Sequence, residues 1–235
     1  NQGREFLVIG EDEQLPAMVD DLKSCWRNAS EAAVSDWKME SVNYTTREAW
    51  LTSTQVNFCS KAYSTVAVDH PDAAALTVLG GFLRNGYLHR AIREKGGAYG
   101  GGAGQDSVNG TFRFFSYRDP RLEETLDDFD AALAWLQDND HDYQELEESI
   151  LGVICQHDRP RSPAGAARHA FHNKLFGRTL EQRARFRERV LSVTLDDLKR
   201  VARTWLVPEK ASTAVVTSPE NRARAEKLGL AIEEL

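Results

Sequence analysis

Apolar side chains recur at three- and four-residue intervals over several stretches, and each such stripe predicts an amphipathic helix. Leu15, Met18, Val19 and Leu22 form the first. Leu76, Leu79, Leu83, Tyr87 and Ala91 form a longer one that runs to about Lys95. Leu122, Leu126, Phe129, Leu133 and Leu136 follow, then Leu146, Ile150 and Val153 beyond the acidic break Asp138–Asp142. Ser162-Pro163 starts a helix that runs through Leu175, Thr179–Gln182 has the reciprocal capping-box pattern, and Thr194–Asp197 has a variant with Asp in place of Glu.

Strand patterns differ in period and residue type. Glu5–Gly10 is a short run of β-formers and reads as a strand. Val56, Phe58 and the run Tyr63–Val68 suggest one long strand or two short ones before the turn and helix cap at Asp69–Asp72. Asp106–Gly110 has hairpin chemistry between strands Ala98–Gln105 and Thr111–Tyr117. Ala214–Thr217 reads as a last strand, with Ser218 and Pro219 opening a helix to about Leu228. Residues 28–50 carry no clear period and read as a mixed connection. Early strands, late helices and one returning strand make an α+β fold, a mostly antiparallel sheet with helices on one face. The strand–acidic turn–helix plan occurs at both ends, which hints at an internal repeat.

Composition narrows the class. The 235 residues include 29 Lys and Arg against 36 Asp and Glu, a net charge of -7, and 41% are hydrophobic, enough for a real core. Aromatic content argues against disorder. The acidic balance argues against a nucleic-acid partner, and no apolar run is long enough to span a membrane. Cys25, Cys59 and Cys155 are too scattered for a disulfide framework or zinc knuckle. The chain begins at Asn1 without a signal-peptide pattern, as expected of a processed protein or a piece of a longer one.

Chemistry concentrates at Arg93–Gly104, where six of the sixteen glycines fall between Gly96 and Gly104. The run fits neither a P-loop nor GxGxxG. Two readings remain open. The glycines could end a helix and feed a kinked strand. They could equally keep a sheet edge open for an extended peptide, with Arg93 and Tyr99 facing it. HExxH, HxxEH and paired-Cys motifs are absent, His169 and His172 lack an acidic neighbour, and Asp138–Asp142 fails the calcium-loop pattern at its sixth and twelfth positions.

The string from Tyr87 to Ala103, followed by Phe115–Pro120, resembles the inverzincin metallopeptidases, and within them the presequence-protease branch of the pitrilysin/insulinase family. The resemblance covers roughly residues 54–217 and implies four related α+β domains closing around a peptide chamber. It implies that residues 1–40 are the tail of a preceding homologous domain plus a connection, and that 41–235 form the C-terminal, substrate-binding domain. By the same resemblance, Arg93 and Tyr99 contact substrate beside the scissile bond, while Gly97, Ala98, Gly100 and Gly101 hold peptide extended. Zinc would be bound by HxxEH in an N-terminal half outside this chain, so metal ligands here are none and the chain alone is expected not to hydrolyse peptides. Expected partners are peptides, including basic ones on account of the net charge, and the zinc-bearing half of the same polypeptide. The expected compartment is a bacterial cytoplasm, with the mitochondrial matrix as the alternative. Rival readings are a catalytically inactive peptide-binding subunit of the same fold, or a peptide-binding domain that works alone.

Overall fold

The computed structural model describes residues 5–27 and 44–234. The chain forms two compact units, one from residues 1–43 and 159–180, the other from 44–158 and 181–235. The expected strand at Glu5–Gly10 is not formed: the segment is irregular, with half-exposed or exposed side chains and no sheet partner among the described residues. A short apolar run satisfies its backbone as a strand only where a neighbouring edge receives it. The helical half of the same expectation is present as α1, Leu15–Trp26. Helix α5, Pro163–Leu175, belongs to the same unit, and Ser162 Oγ caps it by accepting the Gly165 N–H at 3.2 Å. Neither helix buries a residue fully.

The larger unit is built on a six-stranded sheet. Its strands are β1 (Arg47–Leu51), β2 (Phe58–Ser64), β3 (Gly100–Asp106), β4 (Thr111–Tyr117), β5 (Ser212–Thr217) and β6 (Ala231–Glu234). Their spatial order is β3-β4-β2-β5-β1-β6. The β3–β4, β4–β2 and β2–β5 pairs are antiparallel, and β1 pairs in parallel with both β5 and β6. The sequence pattern marks β4 to the residue, but β1 lies in the stretch that carried no period, and β6 was not anticipated. Both have only one or two strongly apolar inward positions, Ala49 and Leu51 in β1 and Ile232 in β6, too few to establish a period.

Alternation decides which face is covered. Cys59, Lys61 and Tyr63 of β2, Phe112, Phe114 and Ser116 of β4, and Thr213, Val215 and Thr217 of β5 are buried. Their neighbours Arg113, Phe115 and Tyr117 lie on the open face. The covering layer contains α2 (Ala73–Leu83), α3 (Glu123–Asp138), α4 (Tyr143–His157), α6 (Leu180–Leu191) and α7 (Leu195–Trp205); α8 (Arg222–Lys227) joins β5 to β6. Leu76, Leu79, Phe82, Phe129 and Val201 form the middle of the core. Thr194 and Asp197 make the reciprocal capping box expected for α7. Asp72 precedes α2 but does not cap it, because its carboxylate is taken by Trp205 Nε1 at 2.9 Å and Arg200 Nη1 at 2.8 Å. Ser218 likewise makes no cap bond, and a 3-10 turn, Pro219–Asn221, precedes α8.

Candidate functional site

The stripe from Leu76 to Ala91 is one continuous helix that changes its winding. After Leu83 it continues as a π-helix, Arg84–Lys95, buried through Leu88 and Ile92. Wide turns of this kind are rare, and they concentrate at functional sites. Arg93 is exposed near its end, where the Arg93 carbonyl accepts the Gly97 N–H at 3.1 Å. Gly97 has φ +79°, a left-handed backbone that favours glycine. Gly96 is glycine for a different reason: a Cβ there would run into the Arg121 guanidinium and the Ile92 carbonyl. The helix end therefore uses its two glycines as the first of the two readings supposed.

The same segment also supplies an open edge. Ala98 is buried, with its N–H bonded to the Ile92 carbonyl at 3.1 Å, so it presents no side chain to solvent. Tyr99 follows with 70% of its surface exposed, its ring edge-on to Tyr117 at 5.9 Å and its N–H bonded to the Arg118 carbonyl at 3.2 Å. In an antiparallel ladder, inward and outward backbone groups alternate. Since Tyr99 bonds inward, the outward N–H and C=O groups fall on Gly100, Gly102 and Gly104. Strand β3 is terminal in the sheet. A Cβ on Gly100 would meet nothing within 4 Å, whereas at Gly102 it would lie 3.3 Å from the stem of Arg84. Gly101 is held against Ile92 and the Phe115 carbonyl, where a Cβ would come within 2.8 Å of the isoleucine. Among the described residues no strand pairs with the outer edge of β3, and the space above the strand is clear at Gly100 and filled by the Arg84 stem at Gly102.

The run Ser116–Pro120 sits next to this edge. Asp119 is completely buried: its carboxylate accepts the Arg121 N–H at 3.0 Å and the Thr125 hydroxyl at 2.8 Å. Its backbone bonds that of Asn57 in both directions, at 2.7 and 2.8 Å. Asn57 also donates through Nδ2 to the carbonyls of Asp119 and Arg121, and its Oδ1 accepts the Thr217 hydroxyl at 2.6 Å. Sequence reasoning singled out the run but missed Asn57, which lies some sixty residues away and carries no motif. Cys59, beside Ser116, has its thiol pushed up to about 12 by burial, and so is not a nucleophile. Arg93 and Arg118 are exposed at this end of the sheet, whereas Arg113 stands opposite Gly104, four residues along the ladder and close to Asp106. Among the described residues, no group of three or more His, Cys, Asp or Glu could hold a metal ion.

The fold is that of pitrilysin-type peptidases. A protease from Helicobacter pylori superposes with a TM-score of 0.69 at 16% identity, over 89% of this chain and 53% of its own. Pitrilysin itself gives 0.64 at 14% identity, over 95% of this chain and 25% of its own. Residues 47–218 match the model of the PreP C-terminal domain, and the chain belongs to that family, the presequence-protease branch of the pitrilysin/insulinase peptidases. The mitochondrial presequence protease of Kluyveromyces lactis is 41% identical over 167 residues, 71% of this chain. That of Drosophila melanogaster is 44% identical over 146 residues, 61% of this chain. The chain spans only 17% and 14% of these relatives' lengths. No helix among the described residues is long and apolar enough to cross a membrane.

Proposed function

We propose that residues 41–235 are the C-terminal, substrate-binding domain of a zinc-dependent metallopeptidase that degrades oligopeptides, and that residues 1–40 are the tail of a preceding homologous domain plus a connection. The observation that carries this reading is the open β3 edge at Gly100, flanked by exposed Tyr99 and by Arg93 at the end of the π-helix. A peptide added there would meet the outward N–H and C=O of Gly100, which bind main chain without regard to side chain. Gly97 and Ala98 set the path of the backbone into that edge. Gly101 keeps the strand close to the π-helix.

Arg93 brings a permanently charged fork of donors, and Tyr99 one hydroxyl donor. Aimed at a substrate carbonyl, both stabilise the oxygen on which negative charge develops during attack. The residues described here do not form a metal site, so no metal-dependent step is assigned to them; zinc belongs to the N-terminal half of the full-length enzyme. The Arg93 guanidinium favours peptide carbonyls and carboxylates. A preference for basic peptides, suggested by the net charge, would have to arise elsewhere in the chamber. Free, exposed Cys25 and Cys155 support a reducing compartment, a bacterial cytoplasm or a mitochondrial matrix.

The test is turnover of an oligopeptide by the full-length enzyme. Arg93→Ala and Tyr99→Phe are each expected to lower kcat about a hundredfold with zinc content unchanged, the loss typical of one oxyanion donor. Wild-type turnover by both variants would overturn the assignment.

A further inference from the structure

The one non-glycine residue with a left-handed backbone among those described is Arg118, at φ +50°. Such a residue persists only where its surroundings over-determine it, and a strained backbone next to a site invites the question of what the strain positions. The constraint here comes from both sides. Tyr117 is fixed in the ladder opposite Gly100. One residue beyond Arg118, Asp119 is locked to Asn57 by two backbone bonds and the Asn57 amide, and its carboxylate is filled by Arg121 N–H and Thr125. Asn57 is itself anchored to the middle of the sheet through Thr217 of β5. The chain must turn within a single residue to leave the ladder and reach this clamp, and the left-handed conformation makes that turn.

Its product is the direction of one carbonyl. With Arg118 left-handed, its C=O meets the Tyr99 N–H at 3.2 Å and extends the β3–β4 ladder past Gly100 to the tyrosine. The same clamp reaches the helix that carries Arg93, since Arg121 Nη2 donates to the Ala91 carbonyl at 3.3 Å. We infer that Arg118 is a positioning residue for Tyr99, acting through its backbone conformation and not its guanidinium, with Asn57 and Asp119 as the clamp that holds that conformation. The inference rests on the role proposed above for Tyr99.

Position 118 is exposed, so it can be varied without opening the core. In the full-length enzyme, Arg118→Gly and Arg118→Asn, both at ease in the left-handed region, are expected to stay within about twofold of wild-type kcat. Arg118→Val, which resists that region, is expected to lose about tenfold or more in kcat with KM changed less than about threefold, because a small misplacement of a catalytic donor is expensive. Arg118→Ala gives the milder form of the same effect should the valine variant not fold. In a Tyr99→Phe background the valine substitution should cost nothing further, since coupled residues are not additive. Equal losses for the glycine and valine variants would mean that the guanidinium acts directly. Full additivity with Tyr99→Phe, or a wild-type valine variant, would also overturn the inference. A wild-type Tyr99→Phe enzyme would instead remove the reading on which it rests, so the two failures are separable.

Discussion

Asp72 shows how one side chain can be drawn away from the role its position suggests. Burial alone would raise its carboxyl, but Trp205 Nε1, Arg200 and, at 4.0 Å, His70 outweigh burial and hold it below the ordinary carboxylate range. A carboxyl with a lowered folded pKa adds stability above its unfolded value, near 4, and that stability is lost as pH falls through the folded value. Asp72→Asn is therefore expected to cost about 2 kcal/mol at neutral pH, as for a hydrogen bond to a charged group. It should cost progressively less below pH 4. Thermal unfolding of both proteins from pH 3 to 8 would show the two curves converging at the acid end; parallel curves would contradict the assignment. Lys61 is another buried ion, with its ammonium 2.7 Å from both oxygens of Asp130. Removing Asp130 would leave that ammonium buried and alone, the more damaging half of such a pair to lose.

Between elements, α2 packs closely on β3. A Cβ on Gly80 would stand 2.8 Å from the Gly104 Cα, so the two backbones touch where both residues lack side chains. Gly80→Ala must push the helix off the strand and is expected to destabilise by about 1–3 kcal/mol, as overpacking does, despite the better helix propensity of alanine. Denaturant titration measures it. That contact explains part of what the sequence could and could not reveal. The glycine run of β3 was visible as a run, and its hairpin partner β4 was legible because Phe112 and Phe114 alternate with Arg113 and Phe115 against a turn of fixed chemistry. The reason for Gly80 was invisible, because it lies in a strand some twenty residues on. The change from α to π winding at Arg84 was also hidden, since Leu83, Tyr87 and Ala91 keep a four-residue spacing that either helix accommodates. Arg93 and Tyr99 stood out through their setting in the glycine run. Asn57 and the conformation of Arg118 did not, since neither a long-range amide bond nor a single dihedral leaves a periodic trace.

For the whole chain, the expected division of labour can be tested without a partner. The 235-residue chain on its own is expected to purify without stoichiometric zinc and to leave peptides uncut; metal analysis finding one tightly held zinc per chain would contradict this. The architecture also has a temporal side. Strand β1 lies between β5 and β6, so its residues 47–51 pair with residues 213–217 and 231–234. Contacts at that sequence separation close late and slow folding. While the chain is being synthesised, β2 and the β3–β4 hairpin can assemble, but β1 must wait for more than 160 further residues before its first partner strand exists. A ribosome stalled after β4 has emerged but before Ser212 would therefore hold a half-sheet with an unpaired inner edge at β2, the kind of surface that chaperones are needed to shield.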